Sequence, residues 1–362
     1  AAVCELAAQV PSRVSGTKML LTASHDCTVR LWSLVKGDCI HALQGHKSRV
    51  TSAVSSHDGQ LVLTGSHDCT AKLWCTRTGK CKRTFRSHKD RVTCASFSPD
   101  DLLVLTASYD RSAAICCTRG GQRSCRLVGH KDCVGVALFS PCGRLALTAS
   151  SDFTAMLWDV VDMLWDVAEA KRTQVLRGHW HSVVSAAFTL DSSSVLTASF
   201  DRTARLWATA TGECLRVFEG HGGWVRSGAI SADAAAVLTA SNDCSARVWD
   251  AKTGACVATL RGHGGWVQAA VFSPDASLVL TASADCTARL WSALHFGCVR
   301  VLRGHASSVT SVAFSADGTQ VATASEDRTA KVWETGEGEC SHTLQGNQGV
   351  VCLVALLCNA TH

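Results

Sequence analysis

Residues 304–318 read Gly304-His305-Ala306-Ser307-Ser308-Val309-Thr310-Ser311-Val312-Ala313-Phe314-Ser315-Ala316-Asp317-Gly318. Small or polar residues alternate with apolar ones as far as Phe314, and Ser315 to Gly318 is a turn signal, so the stretch reads as one strand and a tight turn. A second short apolar run, 320–325, stops at Glu326-Asp327. A third, 329–333, ends on Trp333; Thr335-Gly336 breaks it, and 340–344 makes a fourth. The block therefore reads as four strands. A four-stranded antiparallel meander cannot bury both faces alone, so copies of it must pack face to face around an axis.

The copies are present along the chain. Ser-x-Asp recurs at Ser24/Asp26, Ser66/Asp68, Ser108/Asp110, Ser150/Asp152, Ser199/Asp201, Ser241/Asp243, Ser283/Asp285 and Ser325/Asp327. Successive serines lie 42 residues apart, except for a step of 49 between Ser150 and Ser199. A fixed period of this size marks a stacked or circular array. Ahead of these turns stand Gly45-His46, Ser87-His88, Gly129-His130, Gly178-His179, Gly220-His221, Gly262-His263 and Gly304-His305, with Gly346-Asn347 in the eighth place. Six residues after each Asp comes Trp32, Trp74, Trp158, Trp207, Trp249, Trp291 or Trp333, and Cys116 replaces the indole in the third repeat.

This four-part motif, repeated in register, strongly resembles the WD40-repeat family over nearly the whole chain. The resemblance implies an all-β, eight-bladed WD40-type β-propeller with four antiparallel strands per blade. It also implies a structural network within each blade: His46, Ser66, Asp68 and Trp74; His130, Ser150, Asp152 and Trp158; His179, Ser199, Asp201 and Trp207; His221, Ser241, Asp243 and Trp249; His263, Ser283, Asp285 and Trp291; His305, Ser325, Asp327 and Trp333. Each of these polar groups is costly to bury alone, and linking them satisfies the donors. Ser, His and Asp are also the residue types of a nucleophilic triad. Repetition argues against that reading, because a catalytic constellation is needed once.

Two irregularities carry structural expectations. Without its indole at Cys116, the third blade is expected to be soft. The 49-residue step holds a tandem copy, Met156-Leu157-Trp158-Asp159-Val160-Val161-Asp162 followed by Met163-Leu164-Trp165-Asp166-Val167. Trp158 keeps the strand position, and Trp165 is expected in an extended loop, either as a neutral bulge or as a second candidate surface for a partner. At the ends, residues 6–13 match a first strand poorly, whereas 350–357 look like an innermost strand with nothing after it. The C-terminal strand 350–357 is therefore expected to complete the first blade by strand exchange, with residues 1–15 as an N-terminal tail and 16–362 as one propeller domain; the alternative has the N-terminal segment fill that place. Either way the sheet edges are paired.

Composition bounds the remainder. With 28 Gly, 4 Pro, 46% hydrophobic and 18% charged residues, the chain is globular. No apolar run approaches the roughly 18 residues of a membrane helix, and residues 1–10 lack the basic start and apolar centre of a secretory signal. The 20 cysteines fall at repeated places. Cys27, Cys69, Cys244 and Cys286 follow Ser-x-Asp, while Cys39, Cys81, Cys214, Cys256, Cys298 and Cys340 open the fourth strand. No C-x-x-C pair exists, so neither zinc nor a disulfide framework is indicated. Reduced thiols in a cytoplasmic compartment are expected.

Function must then come from surfaces. The resemblance implies that partners bind the face bearing the Gly-His and Ser-x-Asp loops. Three positions per blade point there, and they hold an arc of His25, Arg49, His67, Arg91 and Tyr109 on blades one to three, and Phe200, Trp224, Arg226, Trp266 and Gln268 on blades five to seven. Arg, Trp and Tyr are enriched in binding hot spots. The arginines favour an acidic or phosphorylated protein segment, or they are merely solvated, and the two Gly-Gly-Trp-Val loops either bind or simply cover their own blades. A formal net charge of +5 without a polybasic run does not indicate nucleic acid. The leading expectation is a non-catalytic protein-interaction scaffold or assembly platform, monomeric within a hetero-complex and without a cofactor. The alternative is a substrate- or phosphopeptide-recognising adaptor of ubiquitin-ligase or ciliary-transport type. An enzyme would need a unique acid, base or metal set at the channel mouth, and the sequence holds none.

Overall fold

The computed structural model describes residues 18–119, 124–160 and 171–358. Its strands form eight four-stranded sheets. In chain order β1 (Lys18–Ser24), β2 (Val29–Ser33) and β3 (Cys39–Leu43) are followed by β4 (Val50–Ser55), β5 (Leu61–Ser66), β6 (Ala71–Cys75) and β7 (Cys81–Phe85). The same rhythm continues to β32 (Val351–Cys358). Blade two is the simple meander β4-β5-β6-β7, each strand antiparallel to the next. The first strands of successive blades touch one another around the axis, and a closed eight-bladed propeller results.

Burial follows the radial position of each strand. In β5 (LVLTGS) every residue but the first is buried, because a neighbouring blade covers each face. In β7 (CKRTF) only Phe85 is fully buried. Leu63 and Leu73 of blade two pack with Ala95 and Phe97 of blade three. Each such leucine contributes on the order of 2 kcal/mol relative to exposure, and the benefit appears only once the next blade is in place.

Blade one has the order β3-β2-β1-β32, so the C-terminal strand supplies its innermost position. The register runs Met19↔Leu357, Leu21↔Ala355 and Ala23↔Leu353. Closure is therefore by strand exchange between the two ends of the chain, and the N-terminal segment does not take that place. The tail read at residues 1–15 and the loop residue Trp165 lie outside the described residues. Trp158 occupies the third strand of blade four, Thr154–Asp159, the place its sequence spacing predicts.

The Ser-x-Asp turns are built by side chains. The residue after each Asp adopts a left-handed backbone, for example Cys69 at φ 65° and Phe153 at φ 72°. Asp68 Oδ1 accepts from the Thr70 N–H at 3.0 Å and from the Thr70 hydroxyl at 2.6 Å, which closes the turn and offsets the strain.

Candidate interaction face

The loops on one face of the ring are pinned together by the repeat motif. In blade two, Asp68 Oδ2 accepts from His46 Nδ1 at 2.8 Å and from the Lys47 N–H at 2.9 Å. His46 Nε2 and Trp74 Nε1 both reach Thr64 Oγ1, at 2.7 and 2.9 Å. The hydroxyl joining indole to imidazole is thus Thr64, two residues before Ser66. Ser66 instead donates to the Ser48 carbonyl at 2.9 Å and so ties the two loops by a separate bond. The same arrangement recurs through Thr148, Thr197, Thr239, Thr281 and Thr323. These threonines belong to the Thr-Ala-Ser run ahead of each Asp and were the part of the motif that residue type alone did not single out.

The electrostatics of the network are those of a neutral imidazole donating to an ionised carboxylate. Burial holds His46, His263 and His305 below the ordinary histidine range. Burial alone would raise the carboxyls, yet the hydrogen bonds converging on Asp68, Asp201, Asp285 and Asp327 hold each at about 2. Blade three departs from this pattern. Ser87 stands where other blades have Gly, and its hydroxyl lies 3.3 Å from Cys116 Sγ. His88 still reaches Asp110 at 3.1 Å and Thr106 at 2.8 Å.

With the loops pinned, the middle residue of each Ser-x-Asp turn is placed beside the residue preceding the innermost strand of its own blade. His67 N–H donates to the Arg49 carbonyl at 2.9 Å, and Tyr109 N–H to Arg91 at 3.0 Å. Phe200 pairs in the same way with Ser182, Asn242 with Trp224, Ala284 with Trp266, and Glu326 with Ser308. His25 donates to the Val350 carbonyl at 2.9 Å across the closing seam. The positions read separately from the sequence thus form one ring of eight pairs.

On blades four to seven these pairs merge into an aromatic ridge. Phe153 and His181 lie 5.9 Å apart between ring centroids, and His181 and Phe200 5.8 Å. Phe200 stacks on Trp224 at 4.6 Å with 20° between planes. Arg226 follows, its guanidinium carbon 5.9 Å from the Phe200 ring and 5.5 Å from the Trp266 ring. Arg226 Nε donates to Asn242 Oδ1, and among the described residues no carboxylate pairs with this guanidinium. Trp224 and Trp266 remain 44% and 51% exposed. Phe153 and His181 belong to the ridge although sequence reasoning did not select them. The signal available was the unusual loop His179-Trp180-His181 and the Phe in a turn position that holds Cys or Arg in the other blades.

The second residue of the innermost strand behaves differently around the ring. Thr51 donates to the Val92 carbonyl at 2.6 Å, Thr93 to Val134 at 2.7 Å and Thr310 to Val351 at 2.8 Å, each in the next blade. Cys352 makes the same link to Val50 at 3.2 Å. Those side chains latch neighbouring blades. Gln268 instead reaches Ser308 Oγ at 3.0 Å.

A closed ring of repeated four-stranded blades, with its loops tied by a His–Asp–Thr–Trp network, defines a β-propeller. The chain belongs to the family described as WD domain, G-beta repeat, which matches residues 10–33, 37–75, 79–115, 121–159, 170–208, 212–250, 254–292 and 296–334. Domains of this family typically act as protein-interaction scaffolds and are generally not catalytic. The chain is also similar to nuclear distribution protein PAC1-2 of Uncinocarpus reesii (strain UAMH 1704), 39% identical over 57 residues. That match spans 15% of this chain and 12% of the fungal protein, so the likeness concerns little more than one repeat. Among the described residues no group of three His, Cys, Asp or Glu could hold a metal ion, and no helix is long and apolar enough to cross a membrane.

Proposed function

We propose that this propeller is a non-catalytic assembly platform that binds a partner protein through the aromatic ridge on its Gly-His face. The observation that carries the reading is the continuous run from Phe153 through His181, Phe200 and Trp224 to Arg226 and Trp266, which crosses four blades. Stacked, half-exposed aromatics around a guanidinium offer a large rigid area at low entropic cost, the composition of an interface hot spot. A partner apolar side chain would lie against Trp224 and Trp266, while the free edge of Arg226 would take a carboxylate or carbonyl. The reading places the protein as a monomer within a hetero-complex in the cytoplasm, where exposed thiols such as those of Cys39, Cys81, Cys142, Cys214, Cys256, Cys298 and Cys340 stay reduced.

The test is affinity purification with mass spectrometry on the wild-type chain and on the Trp224→Ala, Trp266→Ala double variant, with thermal melting to verify folding. Loss of one stoichiometric partner from the folded variant is the expected result. Retention of every partner would remove the ridge as the working surface. An adaptor that takes up an acidic segment is the second reading, favoured by the cationic arc of blades one to three.

A further inference from the structure

The Gly-His face carries a second patch whose chemistry differs from that of the ridge. Around the mouth of blades one to three, imidazole and guanidinium alternate as His25, Arg49, His67 and Arg91, and Tyr109 lies under Arg91 with the guanidinium carbon 5.8 Å from the ring. Both arginines are exposed and both histidines half-buried. Among the described residues neither arginine has an ion-pair partner.

The neighbouring carboxylates are largely engaged. Asp26 accepts from Thr28 and from the Gln348 N–H, Asp68 from Thr70, His46 and the Lys47 N–H, and Asp110 from Ser112, His88 and Arg126. Asp90 accepts from the Arg91 N–H at 2.7 Å. Burial first, then the charges of Arg49 and His67, hold the His25 imidazole below its ordinary range, with Glu326 opposing. Burial, then Arg91 and Arg49, do the same to His67, with Asp90 opposing. The patch therefore carries two fixed cations and two imidazoles whose proton affinity is lowered by burial first and by those cations second.

We infer that His25, Arg49, His67 and Arg91 form a docking site for a carboxylate-rich segment of a partner protein, and that binding draws protons onto the two histidines. The inference rests on the platform reading above. Its two arginines stand on neighbouring blades, both near enough to His67 for their charges to act on it. A run of carboxylates along an extended chain can meet cationic groups carried on three successive blades, one after another. A carboxylate set beside each imidazole favours its charged form, opposing both the burial and the arginine charges that disfavour it. A group whose affinity for protons is higher in the complex takes one up on binding, so affinity rises as pH falls. The segment's own Glu side chains, with ordinary values near 4.3, stay ionised throughout.

The experiment uses the full chain and a fluorescent peptide of roughly ten residues alternating Glu and Ser, compared with its Glu→Gln counterpart and with a neutral peptide bearing one phosphoserine. Anisotropy titrations at about pH 7.5 and about pH 6 are expected to show the Glu peptide binding at least about fivefold tighter at the lower pH, within a limit of about tenfold per pH unit for each histidine. Calorimetry in two buffers of different ionisation enthalpy should record proton uptake. The His25→Gln, His67→Gln variant keeps the affinity measured at the higher pH and loses the pH dependence, while Arg49→Ala, Arg91→Ala weakens binding at both. Absence of Glu-peptide binding at about pH 6, an unchanged pH dependence in the histidine variant, or tighter binding of the phosphoserine peptide would each overturn the inference. If the peptide fails while Trp224→Ala, Trp266→Ala still releases a partner, the docking site falls and the platform stands; the reverse pair of results removes the ridge alone.

Discussion

Blade three offers a direct test of how the repeat motif stabilises a blade. In blade two a Cβ on Gly45 would sit 3.3 Å from the Trp74 ring, and in blade five a Cβ on Gly178 would sit 3.2 Å from Trp207. A side chain at that position and an indole on the third strand therefore compete for one space. Blade three has made both exchanges, with Ser87 for Gly and Cys116 for Trp, and the two side chains now touch at 3.3 Å. Cys116→Trp alone should overpack, at a cost of about 1–3 kcal/mol. Ser87→Gly alone loses roughly 0.5–1 kcal/mol through backbone entropy. Together they restore the indole site. The extra apolar area of Trp over Cys, on the order of 100 Å², is worth about 2.5 kcal/mol. The new bond to Thr106 adds about 1 kcal/mol, and ordering the ring costs about 1 kcal/mol. The double variant should be more stable than wild type by about 2 kcal/mol, with a coupling of roughly 5 kcal/mol between the sites. Urea unfolding followed by circular dichroism on all four members of the cycle measures both quantities. A Cys116→Trp variant equally stable with Ser87 or Gly at position 87 would refute the argument that the two substitutions compensate one another.

Two further outcomes follow from the same geometry. Melting temperature should fall as pH is lowered from about 7 to about 5, before most carboxylates titrate, because the network histidines His46, His88, His263 and His305 are held below their unfolded value near 6.5. A depressed imidazole contributes stability that is present above the unfolded value and lost as pH falls toward the folded one; a second loss follows below about pH 4 as Asp68, Asp201, Asp285 and Asp327 approach their folded values of about 2. His57, raised by its bond to Asp101, opposes the first loss as a single group, and a flat melting profile between those pH values would contradict the assignment. Truncation after Leu344 should leave no folded monomer on size-exclusion chromatography, since it strips β1 of its inner partner and removes the buried Leu353 and Leu357. A synthetic 345–358 peptide should restore the monomer; a truncated chain that melts like wild type would show that β32 is dispensable.

What could be read from the sequence was whatever repeats. The period located the turns, the strands and the place of Trp158, and the mismatch of the two ends located the closing strand. The linking hydroxyl was harder to assign, since Thr64 and Ser66 are both small hydroxyl residues two positions apart on the same strand end, and only the coordinates separate the one under the indole from the one facing Ser48. The ridge was partly legible. Trp224, Phe200, Arg226 and Trp266 stand at recurring surface positions, but Phe153 and His181 join them through contacts between blades, which no single repeat encodes. Thr51, Thr93 and Thr310 were not legible as latches, because the carbonyls they bond belong to the next blade.

The pairing of Met19 with Leu357 also sets an order in time. A ribosome delivers β1 to β3 first and their innermost neighbour last, so the first blade must wait, incomplete and with an apolar edge open, while the rest of the ring is made. Every other blade is assembled from consecutive residues and can form as it emerges. The slow step of folding should therefore be the search between the two ends, a contact of very high sequence separation. Until it succeeds, the nascent chain is a curved stack with two sticky ends, and protection of those ends by a chaperone would matter more to its yield than any property of the finished ring.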